Sequence, residues 1–590
     1  MRRLAIAALL LFALPAAFAA APMDYVPSDT PYLVTSLVPI PPAANERMKR
    51  YSGQIIEMFK SGAKQGFLKG LNAGEPETAD AAAKRADAEQ MLSLFTELGE
   101  IYTNDEAALK AGFKPQARFA IYGVGLVPVM RVEISDAAKA RLTVANTLNK
   151  IIDFSKKANA KLAVKKRNPD FSYTRSALRG GEMFRLGTEK VQPIIVIEGD
   201  QLVLSVLPLN AQPDLLQMVA PAIPGSAKAA SAKLDVIQKN YGLNGYAIGF
   251  VEFAPLANMF MGKANKLEAA LWAASHDEKM PMPMPTAACK SEMLSVISHM
   301  PRAVMGYTTM TGTEMTAKVV LEVEPEIATQ LASTVVPMPA YGNGSSFKMA
   351  FSTDPLKTMN VMRVQADKVI AKPYTCPDLL SWNESAAKLK ESLANPMLGM
   401  VAMVKGFGLS LDDVAMDFAA EKPEPRGITG NFALFTDQPV AVLGMVQGYV
   451  TQLANTKPEL AGKPVKLDPT IFASVPAGSL SANEGYAAMN SAMLIVGVGK
   501  NRLSDLSALQ KAPSSKNGEA FEFSYGSALL DLALASMEKA KASMPAADQE
   551  GYEQMMAIQK TMMAQIESVG STVAFTKNGV EMISTTRFKK

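Results

Sequence analysis

The stretch Tyr307-Thr308-Thr309-Met310-Thr311-Gly312-Thr313-Glu314-Met315 is answered near the end of the chain by Phe575-Thr576-Lys577-Asn578-Gly579-Val580-Glu581-Met582. Each reads aromatic-Thr, a short turn with Gly, then x-Glu-Met, the pattern of two strands joined by a hairpin turn. Other correspondences fall in the same chain order. Phe119-Ala120-Ile121-Tyr122 with Pro128-Val129 matches Phe432-Ala433-Leu434-Phe435 with Pro439-Val440. Leu202-Val203-Leu204-Ser205-Val206 with Asp214-Leu215 matches Leu494-Ile495-Val496-Gly497-Val498 with Asp505-Leu506, and Val251-Glu252-Phe253 matches Phe521-Glu522-Phe523. Four matches in one order predict an internal duplication, which fixes the domain plan before any element is assigned.

Working outward, residues 20–335 form the first expected repeat, 336–344 the linker and 345–590 the second. The wider stretch Pro325 to Gly344, with Val336-Pro337-Met338-Pro339 and Gly342-Asn343-Gly344, marks the boundary. Strands are expected at Tyr32–Val38, Phe119–Gly123, Val127–Ile134, Pro193–Ile197, Gln201–Leu207 and Gly245–Phe253, with Glu198-Gly199-Asp200 as a tight hairpin turn. Helices are expected from about Asn45, over Thr78–Ile101, Asp136–Lys156 and Glu292–His299. Pro255 and Pro355 stand in first helical turns. Hairpins and helices without a regular βαβ rhythm predict an α+β fold, each repeat a largely antiparallel sheet covered on one face by helices.

Arg2-Arg3, the apolar run Leu4–Phe18 and Ala17-Phe18-Ala19 read as a signal peptide over residues 1–19. The expected location is the periplasm, with secretion second, and no later segment offers about 20 unbroken apolar residues. Cys289 and Cys376 are the two cysteines, and an oxidising compartment favours their pairing. The bond would close a loop of roughly 88 residues, worth about 4–5 kcal/mol in the chain-entropy treatment, and would tie the two repeats together. Hydrophobic residues at 48% and charged residues at 20% describe a folded chain. The formal charge of +4 falls to +2 without Arg2 and Arg3, which gives no reason to expect nucleic acid.

Catalytic motifs are missing. There is no HExxH, no GxSxG and no phosphate-binding loop. The Ser-x-x-Lys strings at Ser61, Ser385 and Ser536 lack the Lys-Thr-Gly partner of a penicillin-binding enzyme. No catalytic residue and no cofactor is assigned. Three features remain as candidate sites. Met555, Met556, Met562 and Met563 share one face of a helix, continued by Ile566, and form either core or an adaptable apolar groove with Leu529, Leu530, Leu532 and Leu534 nearby. Lys156, Lys157, Lys165, Lys166 and Arg167, continued by Arg175, Arg179 and Arg185, form a solvated basic face or an anion-binding one. Around Met280-Pro281-Met282-Pro283-Met284, the residues His276, Met280, Met282, Met284, Cys289 and His299 offer soft ligands for copper, set against a plain extended linker.

The mature start Tyr25-Val26-Pro27-Ser28-Asp29-Thr30-Pro31-Tyr32-Leu33 resembles the "P-[AS]-D-T" opening strand of exported bacterial proteins of unknown function with repeated strand–helix units. The resemblance implies an envelope location and carries no catalytic residues. The expected function is a non-catalytic periplasmic binding or scaffold protein whose partner is a protein, an apolar molecule or an envelope component. The alternatives are a carboxylate-based hydrolase of envelope polymers and the soft-metal binder.

Overall fold

The computed structural model describes residues 21–72, 92–160, 171–187, 189–222, 228–276, 284–395, 398–417, 424–449, 453, 456–472, 484–514, 518–542 and 544–589. The fold is α+β, and the strand ladders below are antiparallel. Among the described residues no helix is long and apolar enough to cross a membrane. The chain divides into two compact units. One holds Met1–Pro285, Arg302–Gly312 and Ala546–Met562; the other holds Thr286–Pro301, Thr313–Pro545 and Met563–Lys590.

The first unit contains β1 (Tyr32–Thr35), β2 (Phe119–Val124), β3 (Val127–Glu133), β4 (Tyr173–Leu178), β5 (Gly181–Leu186), β6 (Val191–Glu198), β7 (Gln201–Pro208), β8 (Ile248–Glu252) and β9 (Arg302–Met310). They pair in the order β9-β8-β1-β2-β3-β7-β6-β5-β4. The expected hairpin joins β6 to β7 through Gly199, whose φ of 59° is a conformation that favours glycine. Helix α1 (Pro42–Asn72) follows β1, and α2 (Ala137–Ala160) follows β3. Asp136 caps α2 by accepting hydrogen bonds from the Ala138 and Lys139 amides, both at 3.0 Å. Ala140, Val144, Ala145 and Leu148 fall on one side of α2 and pack into a core with Phe184, Leu186, Ile195, Ile197 and Leu202.

Helices were expected on one face only. In β6 and β7 both faces are covered: Ile194, Val196 and Val203 point away from α2 and are as buried as Ile195 and Ile197. The helix α3 (Pro213–Val219) lies against β7, and α4 (Lys266–Ser275) against β6 and β7. The continuous run Ile194-Ile195-Val196-Ile197 is the sequence form of a strand buried on both sides.

The second unit contains β10 (Glu314–Glu322), β11 (Phe347–Ser352), β12 (Gly406–Asp417), β13 (Glu424–Phe435), β14 (Val465–Lys466), β15 (Gly485–Asn490), β16 (Met493–Val498), β17 (Glu519–Gly526), β18 (Ile566–Thr576) and β19 (Gly579–Phe588). Their order is β10-β19-β18-β17-β11-β12-β13-β16-β15-β14. Its helices include α5 (Ala287–Ser298), α6 (Pro325–Thr334), α7 (Pro355–Ala371), α8 (Leu380–Leu393), α9 (Pro439–Tyr449), α10 (Arg502–Leu509) and α11 (Ser527–Ala542); α12 (Ala546–Ala564) follows. The stretch read as a boundary thus begins with a helix, α6, entered through Pro325.

The runs β9-β8-β1-β2-β3-β7-β6 and β18-β17-β11-β12-β13-β16-β15 have the same connectivity. Three of the four sequence matches land on strands holding the same place in both: β7 with β16, β8 with β17, and Tyr307 in β9 with Phe575 in β18. The fourth does not. Phe119–Tyr122 lies in β2, whereas Phe432–Phe435 lies in β13, the counterpart of β3, and Pro439 opens α9. An alternation of bulky and small residues is common to many half-buried strands and does not identify one.

Candidate functional site

In the second unit, register sorts the central strands into two phases. Phe351, Phe407, Leu434 and Phe521 are linked by direct cross-strand pairing, as are Met349, Leu409, Phe432 and Phe523, and then Phe347, Leu411 and Tyr525. Direct partners share a sheet face, so these side chains form one surface, extended by Val496 on β16 and by Val569 and Val573 on β18. The rings touch: Phe347 meets Phe523 edge-on at 5.6 Å, Phe523 meets Tyr525 at 5.8 Å, and Phe351 lies 6.5 Å from Phe407.

The opposite phase carries Ala350, Ser352, Gly408, Ser410, Asn431, Ala433 and Phe435, all buried. Met338 and Tyr341, from the stretch read as linker, cover it together with Leu506 of α10. Close cover requires small side chains. A Cβ on Gly408 would stand 2.6 Å from the Tyr341 ring. The Tyr341 hydroxyl donates to Glu522 at 3.0 Å, and its carbonyl accepts from Asn431 at 3.2 Å. Burial and the Glu522 carboxylate push the Tyr341 phenol upward, so it stays protonated as a donor. Arg502, itself buried, ties Asp412 at 2.9 Å to Asn431 at 3.3 Å.

The aromatic phase is the wetter one. Phe351, Phe407 and Phe432 are 41%, 37% and 45% exposed, and their apolar neighbours on β11, β12 and β17 are half-buried. Each exposed ring forgoes on the order of 1 kcal/mol of burial, which makes this apolar surface the candidate site of the second unit. Helix α9 shields one side, where Val442 and Leu443 pack with Leu434 and Leu494. Helix α11 lies against β12, β17 and β18, and its Leu529, Leu530, Leu532 and Leu534 are half-buried. These leucines were singled out from the sequence; the aromatic face was not.

The other sequence candidates resolve differently. The Cys289–Cys376 disulfide is formed, with Cα atoms 4.6 Å apart, and both cysteines are buried beside Leu379. Both belong to the second unit, so the bond joins α5 to the turn before α8 inside that unit. Glu292 backs it, accepting from the Thr375 and Cys376 amides at 2.9 and 2.8 Å. These backbone hydrogen bonds hold its carboxyl below the usual range, which suits an anionic anchor and is the reverse of what a general acid needs.

Of the soft-metal set, Met280 and Met282 lie outside the described residues. Met284 is exposed, and Cys289 has spent its sulfur. His276 stacks on Trp272 at 3.9 Å in the first unit, whereas His299 in the second contacts Glu324 at 2.5 Å. Among the described residues no three His, Cys, Asp or Glu side chains gather to hold a metal. Of the methionines, Met556 is buried, Met562 and Met563 are half-buried, and the Met555 side chain lies outside the description. Lys156 and Lys157 are exposed on α2, and Lys165, Lys166 and Arg167 lie outside the described residues. Farther along that basic stretch, Arg175 forks onto Glu182 at 2.6 and 2.9 Å, and Arg179 binds Glu198 at 2.7 Å.

Comparison with protein-family models, with curated proteins and with solved structures finds no match to the chain.

Proposed function

We propose that the chain is an exported, non-catalytic binding protein, built of two halves related by duplication, that holds an apolar ligand on the aromatic face of its second unit. The open face of Phe351, Phe407 and Phe432 carries this reading. None of the paired residues Phe347, Met349, Phe351, Phe407, Leu409, Leu411, Phe432, Leu434, Phe521, Phe523 and Tyr525 bears a charge. The backbone beneath is occupied by the sheet ladder, and the Ser571 hydroxyl in β18 is already shared with Ser584. A ligand with polar atoms in contact here would leave them unpaired, at a cost of about 1–3 kcal/mol each; a hydrocarbon chain has none. The shared strand connectivity supports the duplication, and the signal-like first residues with a formed disulfide fit the periplasm.

The test is native mass spectrometry of gently purified mature protein, followed by displacement of a naphthalene-sulfonate fluorophore by palmitate. Phe407→Ser with Phe432→Ser should abolish the fluorophore signal while circular dichroism stays unchanged. A clean apo mass together with fluorophore binding that survives the double substitution overturns the proposal.

A further inference from the structure

The first unit holds a separate concavity of about 460 Å³ between the first half of α2 and the β4–β5 hairpin, a volume typical of small-molecule sites. Alanines 138, 145 and 177 leave the space open, and Leu142, 62% exposed, stands among the lining residues. The charged lining residues are Arg141, Arg175 and Glu182, a net positive set. Arg175 is committed: its fork meets both Glu182 oxygens, and its guanidinium lies 5.5 Å from the Phe184 ring centre. Arg141 is not. Its Nε donates to its own helix at the Ala137 carbonyl, 3.1 Å away, and its two terminal nitrogens have no protein partner among the described residues. The amides at the start of α2 are already taken by Asp136, so the helix end plays no part.

We infer that this concavity is a binding site for an amphiphilic anion, an alkyl carboxylate or alkyl phosphate. Its headgroup takes the free edge of the Arg141 guanidinium in a bidentate contact, and its alkyl part lies along Leu142, Ala145 and Ala177. Arginine suits such a headgroup because its planar fork matches two oxygens at once. The Arg175–Glu182 pair forms a fixed polar wall that turns the ligand's charge toward Arg141. The anion-binding chemistry expected at Lys156, Lys157 and beyond is thereby placed at the other end of the same helix.

The experiment is calorimetric titration of decanoate, decyl phosphate and decylammonium into full-length protein carrying Phe407→Ser and Phe432→Ser, so that the apolar face contributes nothing. Both anions should bind one site, and decylammonium should bind at least roughly tenfold more weakly, as expected for loss of a charge-assisted bidentate contact. Arg141→Gln should bring decanoate down to the decylammonium level, and Arg141→Lys should restore part of the loss. Tighter binding of the phosphate than the carboxylate identifies a phospholipid-like source, and the reverse a fatty acid. Equal binding of decanoate and decylammonium, or decanoate binding unchanged by Arg141→Gln, or no heat with either anion, overturns the inference. None of these outcomes bears on the aromatic face.

Discussion

The two units share a strand order and differ in how they treat one sheet face. In the first, α2 lays Val144, Ala145 and Leu148 over Phe184 and Ile195, which are buried, while Val34, Phe119 and Ile121 farther along that face are half-buried. In the second, α9 covers only the margin at Leu434 and Leu494, and Phe351, Phe407 and Phe432 remain open. The same ladder of strands therefore carries a buried core under α2 in one unit and exposed rings beside α9 in the other. The helix after β3 is α2, of 24 residues, and the helix after β13 is α9, of 11.

Matched phenylalanines break or sharpen this contrast most strongly. Phe184→Ala, at a fully buried site, should cost about 3–5 kcal/mol, whereas Phe432→Ala should cost below about 1 kcal/mol. Chemical denaturation of both variants checks it, and equal losses would end the distinction between the faces. Next in size is Cys289→Ser with Cys376→Ser. Loss of about 2–5 kcal/mol is expected, confined to the second unit, so a calorimetric trace should show one transition falling and the other in place. A common shift of both would show that the bond stabilises the whole chain.

Gly408→Ala should cost about 1–3 kcal/mol by driving Tyr341 off the small-residue face. Thermal melting reads the loss, and Tyr341→Leu in the same chain should recover part of it. The smallest effect concerns Glu292. Its folded pKa lies below its ordinary value, so its contribution is present above that ordinary value and fades as pH falls through the lowered one. Hydrogen exchange at the Thr375 and Cys376 amides should therefore lose protection in acid. In Glu292→Gln that acid dependence should vanish.

Much of the scaffold was legible. The hairpin at Gly199, the helix start at Pro355 and the pairing of the two cysteines follow from local rules about turns, fixed φ and oxidised compartments. The aromatic face was not legible, because alternation separates two faces without saying which one is covered. In β11, β12, β13 and β17 the usual assignment of bulky residues to the core inverts. The signal was the regular Gly, Ala and Ser of the opposite phase, which marks a close-packed cover, but that cover comes from Met338 and Tyr341 in a stretch with no periodicity. The basic stretch misled for a similar reason. Arg175 and Glu182 neutralise each other only once the β4–β5 hairpin brings them together.

The strand order also sets a timetable. Leu33 sits between Tyr122 and Phe250, and Ala350 between Gly408 and Glu522. Strands β1 and β11 are thus central ones, and the second neighbour of each, β8 or β17, is made only after the strands that lie between them in the chain. Loop closure over such a span is slow compared with local hairpins. Until Ile248–Glu252 arrives, β1 waits with one bare edge, and a chain interrupted there offers that edge to any other strand in reach.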